Sequence, residues 1–171
     1  DLILEAFPDV LYIYNEAYDQ TNTNRSLLKA LRLSAEGGVL WMNGDVVFDP
    51  AVLQSVRHLM EADRSFICVN TAAVAEEEVK YTVDDDGFVA ELSKQVEGAR
   101  GEAVGINYVA STDKPALITR LAECAESDYF ERGIELAIEH DGMQVTPVDI
   151  GEMFAVEVDF EEDLTRANEH L

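Results

Sequence analysis

The stretch VLWMNGDVVFDP, residues 39–50, decides how this chain is read. An unbroken apolar run, Val39 to Met42, stops at Asn43-Gly44-Asp45, and Asp49-Pro50 then opens an amphipathic segment with Val52, Val56, Leu59 and Met60 on one stripe. A short run that is apolar at every position predicts a strand buried on both faces. Asp followed by Pro predicts a helix start over 49–60, with Asp49 as cap and Pro50 at the first position. Strand, acid and helix in that order form one unit of an open α/β sheet. In such sheets the carboxyl ends of parallel strands face the ligand crevice, which sets Asp45 at a site. Taken alone, Asp45 reads equally well as a turn-former in a Gly-Asp loop.

Outward from this stretch, β-type runs alternate with helix-period segments. VLYIYN (10–15) and SFICVN (65–70) read as further strands, and SLLKALRL (26–33) as a helix with Ser26 as cap and Leu27, Leu28 and Leu31 on one face. Residues 79–94 alternate around Asp84-Asp85-Asp86-Gly87, a β-hairpin signal. AVGINYVAS (103–111) is another strand. Two helices follow: 115–125, with Leu117, Ile118 and Leu121 inward, and 129–139, with Phe130, Ile134 and Ile138 inward. MQVTPVDI and MFAVEV are expected to close the sheet ahead of a C-terminal helix striped by Leu164, Ala167 and Leu171. The expected architecture is Rossmann-like α/β: a mixed, mostly parallel sheet flanked by helices, with a hairpin insertion, as one domain over 1–171.

Composition narrows the function. Among 171 residues, 35 are acidic and 12 basic, a formal charge of −23 that repels phosphate backbones and argues against nucleic acid as a partner. The sequence shows no membrane span and no signal-peptide layout, so a soluble, cytoplasmic protein is expected. Cys68 and Cys124 read as separate buried thiols rather than a disulfide or a metal pair. His58, His140 and His170 fall on helices or their ends and read as surface or packing residues. A second strand repeats the pattern of the first: FAVEVDFEEDL (154–164) runs apolar into Asp159 and then into a helix. Alone, Asp159 reads at least as well as an N-cap or first-turn acid. Paired with Asp45 across the sheet it would share a hard cation such as Mg²⁺, which takes one or two carboxylates and fills its other positions with phosphate oxygens and water.

YIYNEAYDQTNTNRSLLKAL, LWMNGDVVFDPAVL, VDDDGFVAELSK, GEAVGINYVA and PVDIGEMFAVEVDFEEDL, in this order, resemble the sugar-phosphate nucleotidyltransferases. The similarity is to the branch of CTP:phosphocholine and CTP:inositol-phosphate cytidylyltransferases. It implies a glycosyltransferase-A-like fold and a reaction in which a nucleoside monophosphate passes from an NTP, CTP in this branch, to a phosphorylated alcohol or sugar, with Mg²⁺ present and pyrophosphate released. By resemblance, Asp45 and Asp159 are the metal ligands, Asp45 within a Gly44-Asp45 motif, and Lys94 contacts the acceptor phosphate. Gly105 lies where backbone approaches the acceptor. Tyr18, Thr21, Asn22 and Asn24 match a loop beside the active site, although Thr23 replaces its usual second Asn. Tyr129 and Glu131 match a segment bordering the acceptor pocket.

One departure is large. The family's Gly-x-Gly-x-Arg loop, which cradles the triphosphate, has no counterpart, since no Gly-x-Gly occurs in the chain. The expectation is an N-terminally truncated nucleotidyltransferase domain, inactive by itself, whose exposed central sheet edge favours self-association. For the acceptor, Trp41, Tyr108, Tyr129, Phe130 and Glu131 offer aromatic and acidic surroundings for a choline cation, while Glu91, Glu102 and Asn107 suit hydroxyls. A metal-dependent glycosyltransferase with a D-x-D motif is the alternative, weakened because Asp45 and Asp49 lie four apart and Asp49 is already a helix cap. A binding module without turnover is the third reading.

Overall fold

The computed structural model describes residues 2–72 and 78–170. Its centre is β6 (Gly101–Val109), a nine-residue strand that pairs on one side with β3 (Phe66–Asn70). On the other side it pairs first with β4 (Lys80–Val83) and then with β1 (Val39–Met42), both antiparallel. The change of neighbour coincides with Gly105, whose φ of +68° only glycine adopts freely, and with a register shift against β3 between Ile67 and Val69. β5 (Val89–Ser93) closes one end by a hairpin with β4, and β7 (Thr146–Asp149) the other by parallel pairing with β3. A separate two-stranded ribbon joins β2 (Val46–Phe48) to β8 (Ala155–Glu157), antiparallel.

Helices cover both faces of the sheet. On one face α2 (Thr23–Leu33), α4 (Lys114–Glu123) and α5 (Phe130–Asp141) bury Leu27, Leu31, Leu117, Leu121 and Ile134 against Ile67, Val69 and Val109. On the other, α3 (Ala51–Glu61) buries Val52, Val56 and Leu59 against Phe66, Cys68, Ile106 and Tyr108. Strand alternation sorts these residues, since Phe66 and Cys68 face one layer and Ile67 and Val69 the other. Each fully buried aliphatic side chain contributes about 1.5–3 kcal/mol of burial free energy. α1 (Leu2–Ala6) buries nothing, and α6 (Glu161–His170) buries Ala167 alone. No helix among the described residues is long and apolar enough to cross a membrane.

The mixed sheet, its flanking helices and the hairpin are as expected, and both cysteines are buried free thiols. Several expectations are corrected. The β3–β7 ladder is the one parallel pair among the described strands, because the hairpin and the long β6 return the chain antiparallel. Residues 10–15 form no strand, since no neighbour ladders with them, and Val10, Leu11 and Tyr14 stand 55–95% exposed. Residues 46–48, given no element from the sequence, form β2, and MFAVEV pairs with it instead of closing the main sheet. α2 begins three residues earlier than Ser26, capped by Asn22. α3 begins at Ala51 with Pro50 at the cap position, although the Asp49 carboxylate still accepts the Ala51 N–H at 2.8 Å. In α6, Leu164 is 51% exposed, and Leu171 lies outside the described residues.

Candidate active site

The β2–β8 ribbon brings the two predicted aspartates to the same end of one cavity wall. Asp45 immediately precedes β2, Asp159 follows β8 by two residues, and the Asp45 carbonyl accepts the Val158 N–H at 2.9 Å. Both line a cavity of about 310 Å³. Gly44 and Gly105 form part of its wall, and a Cβ on Gly105 would stand 2.7 Å from the Asn43 side-chain nitrogen, so no larger residue fits without moving Asn43. Asn43 in turn donates to the Glu157 carboxylate at 3.3 Å. The expected meeting of Asp45 and Asp159 in one cavity is thus present in the structure.

Lys94, at the end of the hairpin, reaches the same cavity, with its ammonium 5.0 Å from the centre of the Tyr129 ring. That is cation–π range. Tyr129 is the N-cap residue of α5, and Glu131 stands in the first turn of that helix. The Glu131 side chain is 8% exposed, and its Oε2 has no hydrogen-bond partner. Burial, with the nearby Glu157 charge adding to it, pushes its carboxyl up to about 7. Glu157 is likewise raised to about 7, first by burial and then by Glu78 and Asp45. Glu78 is raised too, chiefly by burial. Oxygens of Glu78, Glu157 and Asp159 lie within 4.8 Å of one another, a grouping that omits Asp45. Glu157 and Asp159, two residues apart at a strand end, share a face by period 2. These hard oxygen donors, with no thiol or imidazole lining the cavity, suit Mg²⁺ or Mn²⁺.

Sequence reasoning passed over Glu78 and Glu157. The signal for Glu157 was present, as it lies two residues before Asp159 in an otherwise apolar run. Nothing in the sequence pointed to Glu78, which only the hairpin brings across. The loop assignment needs correction, because Tyr18, Thr21, Asn22 and Asn24 do not line the cavity. Tyr18 is 77% exposed, and the Thr21 hydroxyl donates to the Ala17 carbonyl. Asn22 caps α2 and donates to the Ser127 carbonyl, while buried Asn24 donates to Ala125, so this pair fastens α2 to the loop before α5. Their neighbour Thr23 does line the cavity and accepts the Phe130 N–H. Among the acceptor candidates, Trp41 packs edge-on against Phe130 in the core, and Tyr108 stacks on Phe66 and donates to Asp63. Glu91, Glu102 and Asn107 are not part of the lining.

Comparison with known structures defines the class of fold: it is that of the sugar-phosphate nucleotidyltransferases. The inositol-1-phosphate CTP transferase from T. maritima superposes with a TM-score of 0.79 at 15% identity, over 98% of this chain and 70% of that one. CTP:phosphocholine cytidylyltransferase from Streptococcus pneumoniae superposes at 0.70 and 15%, over 99% and 72%. A UDP-glucose pyrophosphorylase solved with UDP-glucose gives 0.66 at 9%, over 88% of this chain and 62% of that one. No family model matches the sequence, and no curated protein matches it either. At such identities the likeness is one of fold.

Proposed function

We propose that this protein is a cytoplasmic nucleotidyltransferase that moves a nucleoside monophosphate, CMP from CTP, onto a phosphorylated alcohol or sugar such as phosphocholine, with release of pyrophosphate. The observation that carries this reading is the cavity in which Asp45, Asp159 and Lys94 meet. Asp45 and Asp159 would hold a Mg²⁺, which would supply charge neutralisation for phosphate oxygens. Lys94 holds the acceptor phosphate as a point charge, and the glycine wall at Gly44 and Gly105 lets that phosphate come close to the backbone. Since a phosphate dianion is already a nucleophile, the chain's part is alignment and electrostatics rather than proton abstraction. Tyr129 and Glu131 border the position of the acceptor's head group, a ring face and a buried carboxylate suited to a cation. A D-x-D glycosyltransferase is disfavoured because the Asp49 carboxylate is already engaged by the Ala51 N–H.

The test is pyrophosphate release from CTP with phosphocholine or inositol phosphate and Mg²⁺. Residues 1–171 contain no Gly-x-Gly loop and span about two thirds of the UDP-glucose pyrophosphorylase length, so alone they are expected to give no turnover. Fused behind a strand, Gly-rich loop and helix, they are expected to give Mg²⁺-dependent release. Absence of release from the fusion with every acceptor phosphate tried would sink the proposal.

Self-association through the β1 edge belongs to the same proposal. The Asn43 N–H bonds the Gly105 carbonyl, so Leu40 and Met42, out of phase with that bond, turn their backbone groups away from β6. The β5 edge is covered by the Glu135 carboxylate, which accepts the Leu92 N–H, and β7 carries Pro147. Among the described residues β1 has neither protection, and no charge occurs from Gly37 to Gly44.

A further inference from the structure

Among the described residues that line the site cavity, Lys94 is the one cation, and Asp45, Glu78, Glu131, Glu157 and Asp159 are carboxylates. Its ammonium nevertheless forms no ion pair and donates no hydrogen bond among the described residues, and lies 5.0 Å from the centre of the Tyr129 ring. An ammonium on a flexible stem, with carboxylates around it, pairs with one of them unless something holds it back. Acids stand on two sides, because Lys94 and Tyr129 also line a second cavity of about 610 Å³, to which Asp128 and Glu135 contribute. The ring is anchored where the lysine is not. Tyr129 opens α5, and the next residue, Phe130, donates its N–H to the Thr23 hydroxyl at the start of α2. Lys94 follows the last residue of β5 and reaches the cavity on a four-carbon stem. A carboxylate partner would neutralise the ammonium and occupy its donors, whereas a ring face attracts the charge and leaves all three N–H groups for phosphate oxygens.

We propose that Tyr129 is a positioning residue: its ring face holds the Lys94 ammonium off the surrounding carboxylates and keeps it turned toward the acceptor's phosphate. The ring is thus more than a wall for the acceptor's head group. The part played toward phosphate rests on the nucleotidyltransferase reading; the hold of the ring on the ammonium does not.

Two measurements test this. The chain has four lysines, Lys29, Lys80, Lys94 and Lys114, so their ε-methylene signals are separable by NMR in the purified chain without nucleotide. Protons above a ring face move upfield. One lysine is expected upfield in the parent, missing in Lys94→Arg, which assigns it, kept in Tyr129→Phe and returned to the ordinary position in Tyr129→Leu. An unshifted Lys94 in the parent, or a shift that survives Tyr129→Leu, would overturn the inference. In the fusion that carries a Gly-rich loop, Tyr129→Leu is expected to raise the acceptor KM about two- to fivefold, the worth of an exposed cation–π contact, with the KM for CTP unmoved. Tyr129→Phe is expected to restore the acceptor KM. The rise is equal for inositol phosphate and phosphocholine, because the ring acts through the phosphate they share. A rise confined to phosphocholine assigns the ring to the cationic head group and refutes the positioning role, as does an unchanged KM. No release from the parent fusion with either acceptor rejects the nucleotidyltransferase reading, while the NMR result still decides whether the ring holds Lys94.

Discussion

Replacing Glu131 with Gln is expected to stabilise the protein at alkaline pH and to leave it nearly unchanged in acid. The Glu131 carboxyl ionises at about 7 in the folded chain against 4.5 in the unfolded one, because burial disfavours its charge and Glu157 repels it. Between those values the folded chain keeps a proton that the unfolded chain has released. Stability therefore falls as pH rises from 4.5 through about 7, and the whole penalty is present above that. At about 1.4 kcal/mol per pKa unit it amounts to roughly 3 kcal/mol. Gln keeps the shape and removes the ionisation, and gives up roughly 0.5 kcal/mol of charge–dipole attraction at the start of α5. The net gain at pH 8 is roughly 2–3 kcal/mol, or about 5–10 °C in Tm for a chain of this size. Urea unfolding of both proteins at pH 4.5 and pH 8, in EDTA to exclude divalent ions, reads the difference. An equal ΔΔG at the two pH values would refute the reasoning, since a packing effect does not titrate.

Further outcomes are expected elsewhere. In the turnover-competent fusion, Asp45→Asn and Asp159→Asn each abolish Mg²⁺-dependent pyrophosphate release while unfolding stays within about 1–2 kcal/mol of the parent, because these carboxylates serve the site rather than the core; near-normal rates in either variant count against the cation pair. The Cys68 thiol, fully buried and pushed up to about 12 by desolvation, is expected to resist thiol reagents at pH 8 until urea unfolds the chain. Met42→Lys places a charge on the free β1 edge and is expected to return oligomers to monomer in sedimentation velocity, whereas an unchanged distribution rules that edge out.

Much of this architecture could be read from residue order, for reasons particular to each element. The α2 and α3 stripes were legible because 3.6-residue periodicity survives wherever one helix face meets a sheet, and Leu27, Leu31, Val52 and Val56 obey it. Asp45 and Asp159 each had an ordinary reading, as a turn-former and a first-turn acid, and it was the repetition of the pattern at two strand ends that marked them as a pair, which the fold sets on one cavity. VLYIYN misled because strand propensity describes a fit to a neighbour and cannot say whether one exists. β2 escaped notice because three residues after a Gly-Asp turn carry no period. Strand direction was not encoded locally either: β6 runs antiparallel to β3 because of the hairpin between them. Glu78 was hidden for the same kind of reason, since it meets Glu157 and Asp159 only when residues about 80 positions apart converge.

The placement of β6 has a consequence for synthesis. Val39 of β1 waits for Val109, and Phe66 of β3 for Tyr108, so two apolar strands are made long before the strand that pairs with both. At ribosomal speeds of about 5–20 residues per second, β1 spends roughly 4–14 s without its ladder. Refolding from denaturant is correspondingly expected in milliseconds to seconds, the range of chains dominated by distant contacts. Nascent pieces ending before Gly101 expose VLWM and FICVN together, and they are the species on which chaperones are expected to act.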